Sequence, residues 1–389
     1  MLSIFLILIF IRPFISSLAF PSLNYIYSSL FLGFLIIWLS RKNFPAEKIK
    51  ILKFPLMLFS LALLASTFFS INRLNSLMNL YEYINGLLIF IIAISLSYED
   101  KIRVIRIIIL AGFLISLLAI YQYLFGFQHI LNYLAKTKTS YSFALDYIQR
   151  RRVYFPFVTP NTLGGYLAMI IPLILTLWNR EKKIFFNRLF FVLISVSLAL
   201  ILTKSLGALI SIFSGLIIYF YLHSLLNKDF QKKERILDKK KLLFISIFLI
   251  IIIVVFLIRQ SDTKQHILPS FSLIMRLNYW GDTLKIIKTF PWRGVGLGNF
   301  NISSARYAHN SYLQIWAEMG ILGLASFLWL IVVVFKSAFK NIKDLRNKNL
   351  LSGLIAANAV FLIHNLVDFN FFLPEIALIW WLILGCIYL

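Results

Sequence analysis

Apolar runs of membrane-spanning length recur along the whole chain, separated by short charged or Pro/Gly-rich breaks. A helix needs about 20 apolar residues to cross a bilayer. Hydrophobic residues make up 60% of the 389 residues and charged residues only 14%, whereas soluble domains carry about 25% charged residues. We therefore predict an all-α polytopic membrane helix bundle with twelve transmembrane helices, forming a single integral membrane domain over residues 1–389. The predicted spans are 2–20, 22–40, 54–71, 77–97, 104–125, 161–178, 185–203, 206–225, 242–259, 312–335, 350–367 and 375–389.

Basic residues are concentrated in alternate short loops, which together hold 24 of the 39 Lys and Arg residues. Short loops rich in Lys and Arg stay in the cytoplasm, so both termini are predicted to be cytoplasmic. Loops 126–160 and 260–311 then lie on the opposite face. Because the basic residues follow topology, the net charge of +24 does not indicate nucleic acid. The basic loops are 41–53, 98–106, 179–188, 226–241 and 336–348.

The two long outer loops lack the residue pairs that hold divalent metals. Asp146, Asp262 and Asp282 stand singly, and the three histidines of these loops show no ligand spacing. The sequence therefore predicts no metal and no cofactor.

Two further patterns each have a structural and a functional interpretation. The segment Gly294–Gly298 has glycines as a phosphate-binding loop does, but no strand precedes it, so a turn beside a membrane helix is favoured. The basic cluster Lys228–Lys241 is suited to contact membrane lipid headgroups, although a solvated inner loop is favoured.

Seven cations on the predicted outer face run against the usual positive-inside bias. Several cations beside a group that titrates near neutral pH favour a phosphate site with a general base, because the arginine fork matches phosphate oxygens. For any single cation, headgroup contact or a salt bridge to an outer acid is an equal alternative. On spacing alone, a lone histidine is more often a satisfied polar residue than a base. The residues are Arg150, Arg151, Arg152, Lys204, Arg276, Arg293 and Arg306, around His309.

Several segments resemble the motifs of one family, the O-antigen ligases and O-antigen polymerases, which are polytopic membrane glycosyltransferases. The resemblance covers about residues 150–389, and its most specific block is 276–323; the N-terminal half agrees only in hydropathy. The matching segments are Arg152-x-x-Phe155-Pro156-Phe157-x-Thr159-Pro160-Asn161, Thr203-Lys204-Ser205-Leu206-Gly207-Ala208, Arg276-x-x-x-Trp280, Pro291–Phe300, Ala308-His309-Asn310-Ser311-Tyr312-Leu313, Glu318-x-Gly320-Ile321-Leu322-Gly323 and His364-x-x-x-Asp368.

Two segments depart from the family pattern. Leu206 stands where the family has an arginine, so that role is either lost or taken by Lys204 two residues earlier. Phe155 and Pro156 replace a Gly-Thr pair, which changes the turn before the sixth span and the placing of Arg152.

The resemblance implies a GT-C-like fold in a bacterial inner membrane, with the active site in the periplasmic loop 260–311. It implies an undecaprenyl-diphosphate-linked glycan donor and, as acceptor, a hydroxyl of lipid A-core or of another glycan. Transfer would be inverting and independent of metal, with His309 as catalytic base. Arg276 and Arg152 are the favoured diphosphate contacts, followed by Lys204, Arg293 and Arg306. Asn310, His364 and Asp368 are acceptor-orienting or structural residues. Because His364 and Asp368 are four residues apart, we predict that they lie on one helix face near the outer end of the eleventh span.

A membrane transporter of an anionic solute is the main alternative. It would need polar residues near the middle of several spans and broken helices in corresponding halves. Arg12-Pro13 is the main mid-span candidate in this chain, and the polar load lies at one face. A purely structural lipid-binding scaffold would leave His309 without a role. The sequence therefore favours the enzyme.

Overall fold

The computed structural model describes residues 1–41, 49–137, 142–178, 183–226, 239–260, 269–341 and 348–388. Within these ranges the regular structure is helical, apart from one isolated bridge between Ile302 and Ala305. The α-helices are α1 (Leu2–Ile11), α2 (Pro21–Arg41), α3 (Lys53–Phe68), α4 (Arg73–Ser95), α5 (Tyr98–Tyr121), α6 (Phe127–Thr137), α7 (Ser142–Gln149), α8 (Pro160–Trp178), α9 (Lys183–Leu202), α10 (Leu206–Leu226), α11 (Lys239–Gln260), α12 (Pro269–Thr289), α13 (Ser311–Asn341), α14 (Lys348–His364) and α15 (Pro374–Cys386).

The predicted membrane bundle is confirmed. Seven helical segments of the described chain are long and apolar enough to cross a membrane, and five shorter apolar ones accompany them. Each predicted span coincides with one helix. The first span is shorter than predicted, because α1 ends at Ile11 and Arg12–Phe14 form a 3-10 turn. Pro13 has no backbone N–H to continue the helical hydrogen bonds.

The two long outer segments contain helices that the sequence prediction treated as loops. Helices α6 and α7 lie within 126–160, and α12 lies within 260–311. Parts of four basic loops, including 228–238 of the Lys228–Lys241 cluster, lie outside the described residues, as do Asp262 and His266.

The core of the bundle is built from α8, α14 and α15, which are buried along most of their length. A helix that is apolar all round belongs in the interior rather than at the lipid surface. Small residues allow these helices to approach closely: a side chain at Gly215 would overlap Val360, and one at Gly353 would overlap Thr176. The ends of these packed helices position the candidate site.

Candidate functional site

His309 is held in a defined orientation just before α13. Its ring stacks on Tyr279 of α12 with centroids 5.5 Å apart and meets the edge of Phe369 at 4.8 Å. Its backbone carbonyl accepts a hydrogen bond from the Trp280 indole at 3.4 Å. The side chain is 27% exposed, so one edge of the imidazole remains open to a substrate.

Asp368 lies between two histidines. Its Oδ1 is 3.9 Å from Nδ1 of His309, and its Oδ2 is 3.5 Å from Nε2 of His364. The carboxylate also accepts a hydrogen bond from the Phe369 backbone N–H at 2.9 Å and is almost fully buried. A carboxylate facing Nδ1 favours the tautomer in which Nε2 is free to accept a proton.

The prediction that His364 and Asp368 share one helix face is wrong. Helix α14 ends at His364, so Asp368 lies four residues further on, in the connection to α15. The two side chains meet because the chain turns back at residues 365–367. Room for the His364 imidazole comes from Gly165, where any side chain would overlap the ring.

Hydrogen bonds connect the His309 loop to the connection between α14 and α15. The Asn310 side chain caps α13 by accepting from the backbone N–H groups of Tyr312 and Leu313, at 3.0 and 3.1 Å. Ser311 donates to the Asn365 side chain at 2.6 Å and to the Asp368 carbonyl at 3.1 Å. Asn310 therefore has a structural part in holding His309 near Asp368.

Arg276 reaches the same place from α12. Its Nε donates to the Val367 carbonyl at 2.8 Å, and Nη1 donates to the Ser272 hydroxyl at 2.7 Å. Within the described residues its Nη2 makes no hydrogen bond, so the guanidinium keeps donors for a ligand beside His309. The charge of Arg276 also acts on His309.

Arg152 and Lys204 come together at the turns before α8 and α10. Arg152 is buried and donates from Nε to the Thr203 carbonyl and from Nη2 to the Asn161 side chain, both at 2.9 Å. Lys204 donates to the Arg150 carbonyl at 2.8 Å. The structure thus places Lys204 beside Arg152, and the replacement of the family arginine by Lys204 stays a prediction.

Arg259, at the end of α11, is a member of this group that the sequence analysis missed. It lies near the Lys204 carbonyl, at 3.5 Å, and feels the charges of Arg276 and Arg150. The sequence feature that could have identified Arg259 is its position at the predicted outer end of a span, where Arg is disfavoured. We call Arg152, Lys204, Arg259 and Arg276 the cation cluster.

The other predicted cations lie apart from the cation cluster or are engaged elsewhere. Arg150 pairs with Asp146 at 2.8 Å, and Arg151 lies over the Tyr123 ring. Arg293 is exposed over Phe290, and Arg306 is exposed over Tyr307. Diphosphate contacts by Arg293 and Arg306 stay predictions.

Burial sets the charge states of the site. Burial lowers the pKa of His309 to about 4, although Asp368 opposes the shift and Arg276 adds to it. His309 is therefore neutral at pH 7 and free to accept a proton. Burial, with the nearby charge of Arg259, lowers the pKa of Arg152 to about 9, so Arg152 is still charged at neutral pH.

The segment Gly294–Gly298 is a turn packed on α13, as the sequence favoured. Gly294, Gly296 and Gly298 all have positive φ. The backbone N–H groups of Gly296 and Gly298 donate to the carbonyl and the carboxylate of Glu318, at 3.0 and 2.9 Å. These N–H groups are already used, so this loop does not form a phosphate cradle.

An apolar recess of ≈ 240 Å³ opens between α8, α9, α10 and α11. Leu200, Ile201 and Leu209 line it and flank the turn that carries Lys204. The recess therefore lies beside the cation cluster. Other lining residues are Ile171, Phe220 and Phe248. Within the described ranges, no three His, Cys, Asp or Glu side chains are grouped so that they could hold a metal ion.

Residues 189–328 match the family model described as O-Antigen ligase. The matched stretch contains Lys204, Arg259, Arg276 and His309 and leaves out Arg152. No curated protein matches the chain. The apolar helices indicate a multi-pass membrane protein, and residues 189–328 are similar to the O-antigen ligase family.

Proposed function

We propose that the chain transfers a glycan from an undecaprenyl-diphosphate-linked donor to an acceptor hydroxyl, because residues 189–328 match the family model described as O-Antigen ligase and support the family resemblance. The acceptor is lipid A-core, as in a ligase, or another glycan, as in a polymerase. The observation that carries the proposal is the cation cluster between an apolar recess and one neutral histidine.

The proposed donor has an anionic part and an apolar part, which suit the cation cluster and the adjacent apolar recess. A lipid diphosphate is an anion attached to a long apolar chain. Arginine suits phosphate because its guanidinium carries several N–H donors, and the cation cluster holds three arginines, Arg152, Arg259 and Arg276. Two nitrogens of Arg152 and two of Arg276 already donate within the protein, so their remaining N–H groups are the ones proposed to meet the diphosphate. The adjacent recess, walled by Leu200, Leu209 and Phe248, is suited to the first isoprene units.

In the proposed reaction, His309 acts as the base. The acceptor oxygen attacks the anomeric carbon and gives its proton to Nε2 of His309, while the bond from that carbon to the diphosphate oxygen breaks. The lipid diphosphate leaves with the electron pair, and the arginines stabilise its growing charge. Attack opposite the leaving group inverts the anomeric centre.

Asp368 has a positioning role in this proposal. The imidazolium that forms on His309 is stabilised by the carboxylate, and a movement of about 1 Å would bring the 3.9 Å separation to hydrogen-bond length. Contacts in a free enzyme are often loose and tighten on substrate binding. His364, on the other carboxylate oxygen, supports Asp368 from behind.

The arginines also take over the charge neutralisation that a divalent metal provides in other phosphate enzymes, so we propose metal-independent transfer. The test is incubation of purified protein with a lipid-diphosphate-linked glycan and, separately, lipid A-core or a second glycan repeat. Transfer in saturating EDTA is the expected result. Activity that disappears with chelator and returns with Mg²⁺ would contradict metal independence.

The site is proposed to face the periplasm from the inner membrane, with both termini cytoplasmic. In a Cys386→Ala background, cysteines introduced at 140 and 300 should react with an impermeant reagent from outside, and those at 234 and 343 should not. Position 300 follows the glycine turn on α13, at the same end of the bundle as His309. The reverse labelling pattern would overturn the proposed orientation.

A further inference from the structure

A crevice between α4 and α15 lies beside the candidate site and has no role in the reaction described above. It is narrow and partly open, with a volume of ≈ 50 Å³, and is bounded at one end by the Asn370–Phe372 turn. Polar residues line it from α4, and aromatic rings line it from the turn and from α15. The main lining residues are Asn79, Glu82, Tyr83, Phe371, Phe372 and Trp381.

The charged groups beside this crevice include more carboxylates than cations. Arg12 donates to the Asn24 side chain at 2.6 Å, and Asn24 donates to Oε1 of Glu82 at 3.1 Å. Arg12 also lies 3.9 Å from Glu375, whose other oxygen accepts from the Ser17 backbone N–H at 3.1 Å. Two carboxylates thus face one guanidinium, which leaves an excess of hydrogen-bond acceptors.

Two polar atoms on the crevice residues are buried and lack a well-formed hydrogen bond. Within the described residues, Oε2 of Glu82 and the hydroxyl of Tyr83 make no hydrogen bond of good geometry, although the hydroxyls of Ser28 and Tyr81 lie near the Glu82 carboxylate. Leaving such groups unsatisfied costs free energy, so buried polar atoms are normally paired. A ligand that supplies hydroxyl groups would satisfy both, since a carboxylate accepts a hydrogen bond and a phenol both donates and accepts.

The aromatic lining narrows the class of ligand. The rings of Tyr83 and Phe371 meet edge to face at 5.9 Å, and the rings of Phe371 and Trp381 lie 6.2 Å apart. Rings of this kind offer apolar faces beside a few polar groups, the usual composition of a small-molecule site. A saccharide presents both an apolar C–H face and hydroxyl donors, so it fits this lining.

Two stacked aromatic side chains, Tyr307 and Phe369, lie between the crevice and His309. Tyr307 lies between Phe372 of the crevice, at 6.4 Å, and Phe369, on which it stacks at 4.2 Å. Phe369 in turn contacts the His309 ring at 4.8 Å. The crevice and the catalytic base are therefore neighbours.

The two flanks of the 365–375 segment face different partners. Its first part receives the Arg276 hydrogen bond at Val367, whereas its last part, from Phe371 onward, lines the crevice. Inversion requires the acceptor to approach from the side opposite the leaving diphosphate. A ligand in the crevice is on the flank away from the cation cluster.

We propose that the crevice between α4 and α15 binds a sugar of the acceptor at its open side, with hydroxyl groups that enter the crevice and bond to Glu82 and Tyr83 while the ring packs on the aromatic residues at the opening. The inference rests on the proposed glycan transfer, because that reaction requires a hydroxyl-bearing acceptor.

The test separates acceptor binding from donor binding. Glu82→Gln, Tyr83→Phe and Phe372→Ala are compared with wild type and with Tyr221→Phe, a control at a side chain 65% exposed on α10. The acceptor KM, the donor KM and kcat are measured with lipid A-core and with a released glycan repeat. Binding of the lipid-free core oligosaccharide and of the glycan repeat is measured without donor by ligand-detected NMR.

The expected result is a rise in acceptor KM with donor KM unchanged. Loss of a hydrogen bond to a charged group predicts a rise of about 10- to 100-fold for Glu82→Gln, and loss of a neutral one about 2- to 10-fold for Tyr83→Phe. The control should match wild type. Because Tyr83→Phe and Phe372→Ala lie at the rim of the buried charges, they test the idea even if Glu82→Gln does not fold.

Different failures have different meanings. An unchanged acceptor KM in all three variants, with active wild type, overturns the crevice proposal and leaves the transferase intact. Saccharide binding that depends on Glu82 and Tyr83, in a wild type that transfers nothing, supports the crevice and overturns the proposed reaction. Failure of wild type to bind either oligosaccharide overturns the crevice proposal.

Discussion

The two polar clusters that flank the 365–375 segment differ in the sign of their charge and in how they are paired. The cation cluster brings together the four cations Arg152, Lys204, Arg259 and Arg276, and the nearby carboxylates among the described residues are Asp368, beside His309, and Asp146, which pairs with Arg150. The crevice sets two carboxylates around one arginine, Arg12. One end of the same bundle thus offers a surface for an anion and, on the other flank, a surface for hydroxyl donors. The contrast indicates that the two substrates of a transfer reaction are recognised by opposite chemistry.

Among the changes that test this comparison, removal of the proposed base His309 is expected to have the largest effect on the transfer rate. His309→Ala should lower kcat by about 10²- to 10⁴-fold, the usual contribution of general base catalysis, while donor binding is largely kept. Turnover and binding of the lipid diphosphate are measured on purified protein at matched membrane levels. Near-normal transfer in this variant would reduce His309 to a positioning or structural residue.

Substitution of the buried Arg12 tests whether the charged groups beside the crevice also stabilise the fold. Arg12→Met should lower the free energy of unfolding by about 3–5 kcal/mol, because it leaves buried carboxylates without their cation. Thermal denaturation in detergent reports the change. Arg103→Met is the control, since Arg103 pairs with Asp100 at the surface and its side chain is 58% exposed. Equal melting temperatures for the two variants would show that Arg12 is not a structural partner of Glu82 and Glu375.

Substitution of Arg276 tests the flank of the 365–375 segment that faces the cation cluster. Arg276→Lys keeps the charge but loses the planar fork, so we expect about 10- to 100-fold lower activity, the range for hydrogen bonds to charged groups. Arg276→Ala should in addition weaken donor binding. Arg293→Ala serves as comparison, because Arg293 lies exposed over Phe290. If Arg293→Ala is as damaging as Arg276→Ala, the diphosphate lies closer to the glycine turn than we propose.

The smallest expected effect is on the pH dependence of kcat/KM and kcat. With the pKa of His309 at about 4, the imidazole stays neutral as pH falls from 8 to 5, so kcat/KM for the donor should show no acid limb near 6.5. The bound diphosphate favours the imidazolium, so the acid limb of kcat should lie at higher pH than that of kcat/KM. Because the folded pKa is depressed, this group also makes the fold less stable as pH falls from about 6.5 to 4. A kcat/KM limb at pH 6.5 that Asp368→Asn does not move would contradict this environment for His309.

Hydropathy predicted the bundle because each span is a local property of the sequence. The first span shows the limit: α1 ends at Ile11, since Pro13 interrupts the helical hydrogen bonds within an otherwise apolar run. Helix α12 was treated as loop because its sequence is not apolar enough for a span. The motif residues His309, Arg276, Arg152 and Lys204 do converge in the structure.

Contacts between residues far apart in the chain could not be predicted from the sequence. Arg12 meets Glu375, and Ser17 meets the same carboxylate across 358 residues, and no local pattern marks either pairing. Arg259 was missed because it was counted as the end of a span. The His364–Asp368 contact was predicted from helical spacing but arises from a turn.

Three non-glycine residues of the described chain have a positive φ, and all three lie around the site: Arg151 at 49°, Lys204 at 50° and His309 at 51°. The left-handed conformation costs an L-residue about 1–2 kcal/mol relative to glycine. The fold therefore accepts lower stability at the positions that present these side chains. A selection for thermostability alone would drive these positions toward glycine, and at Lys204 and His309 it would remove the proposed chemistry as it did so.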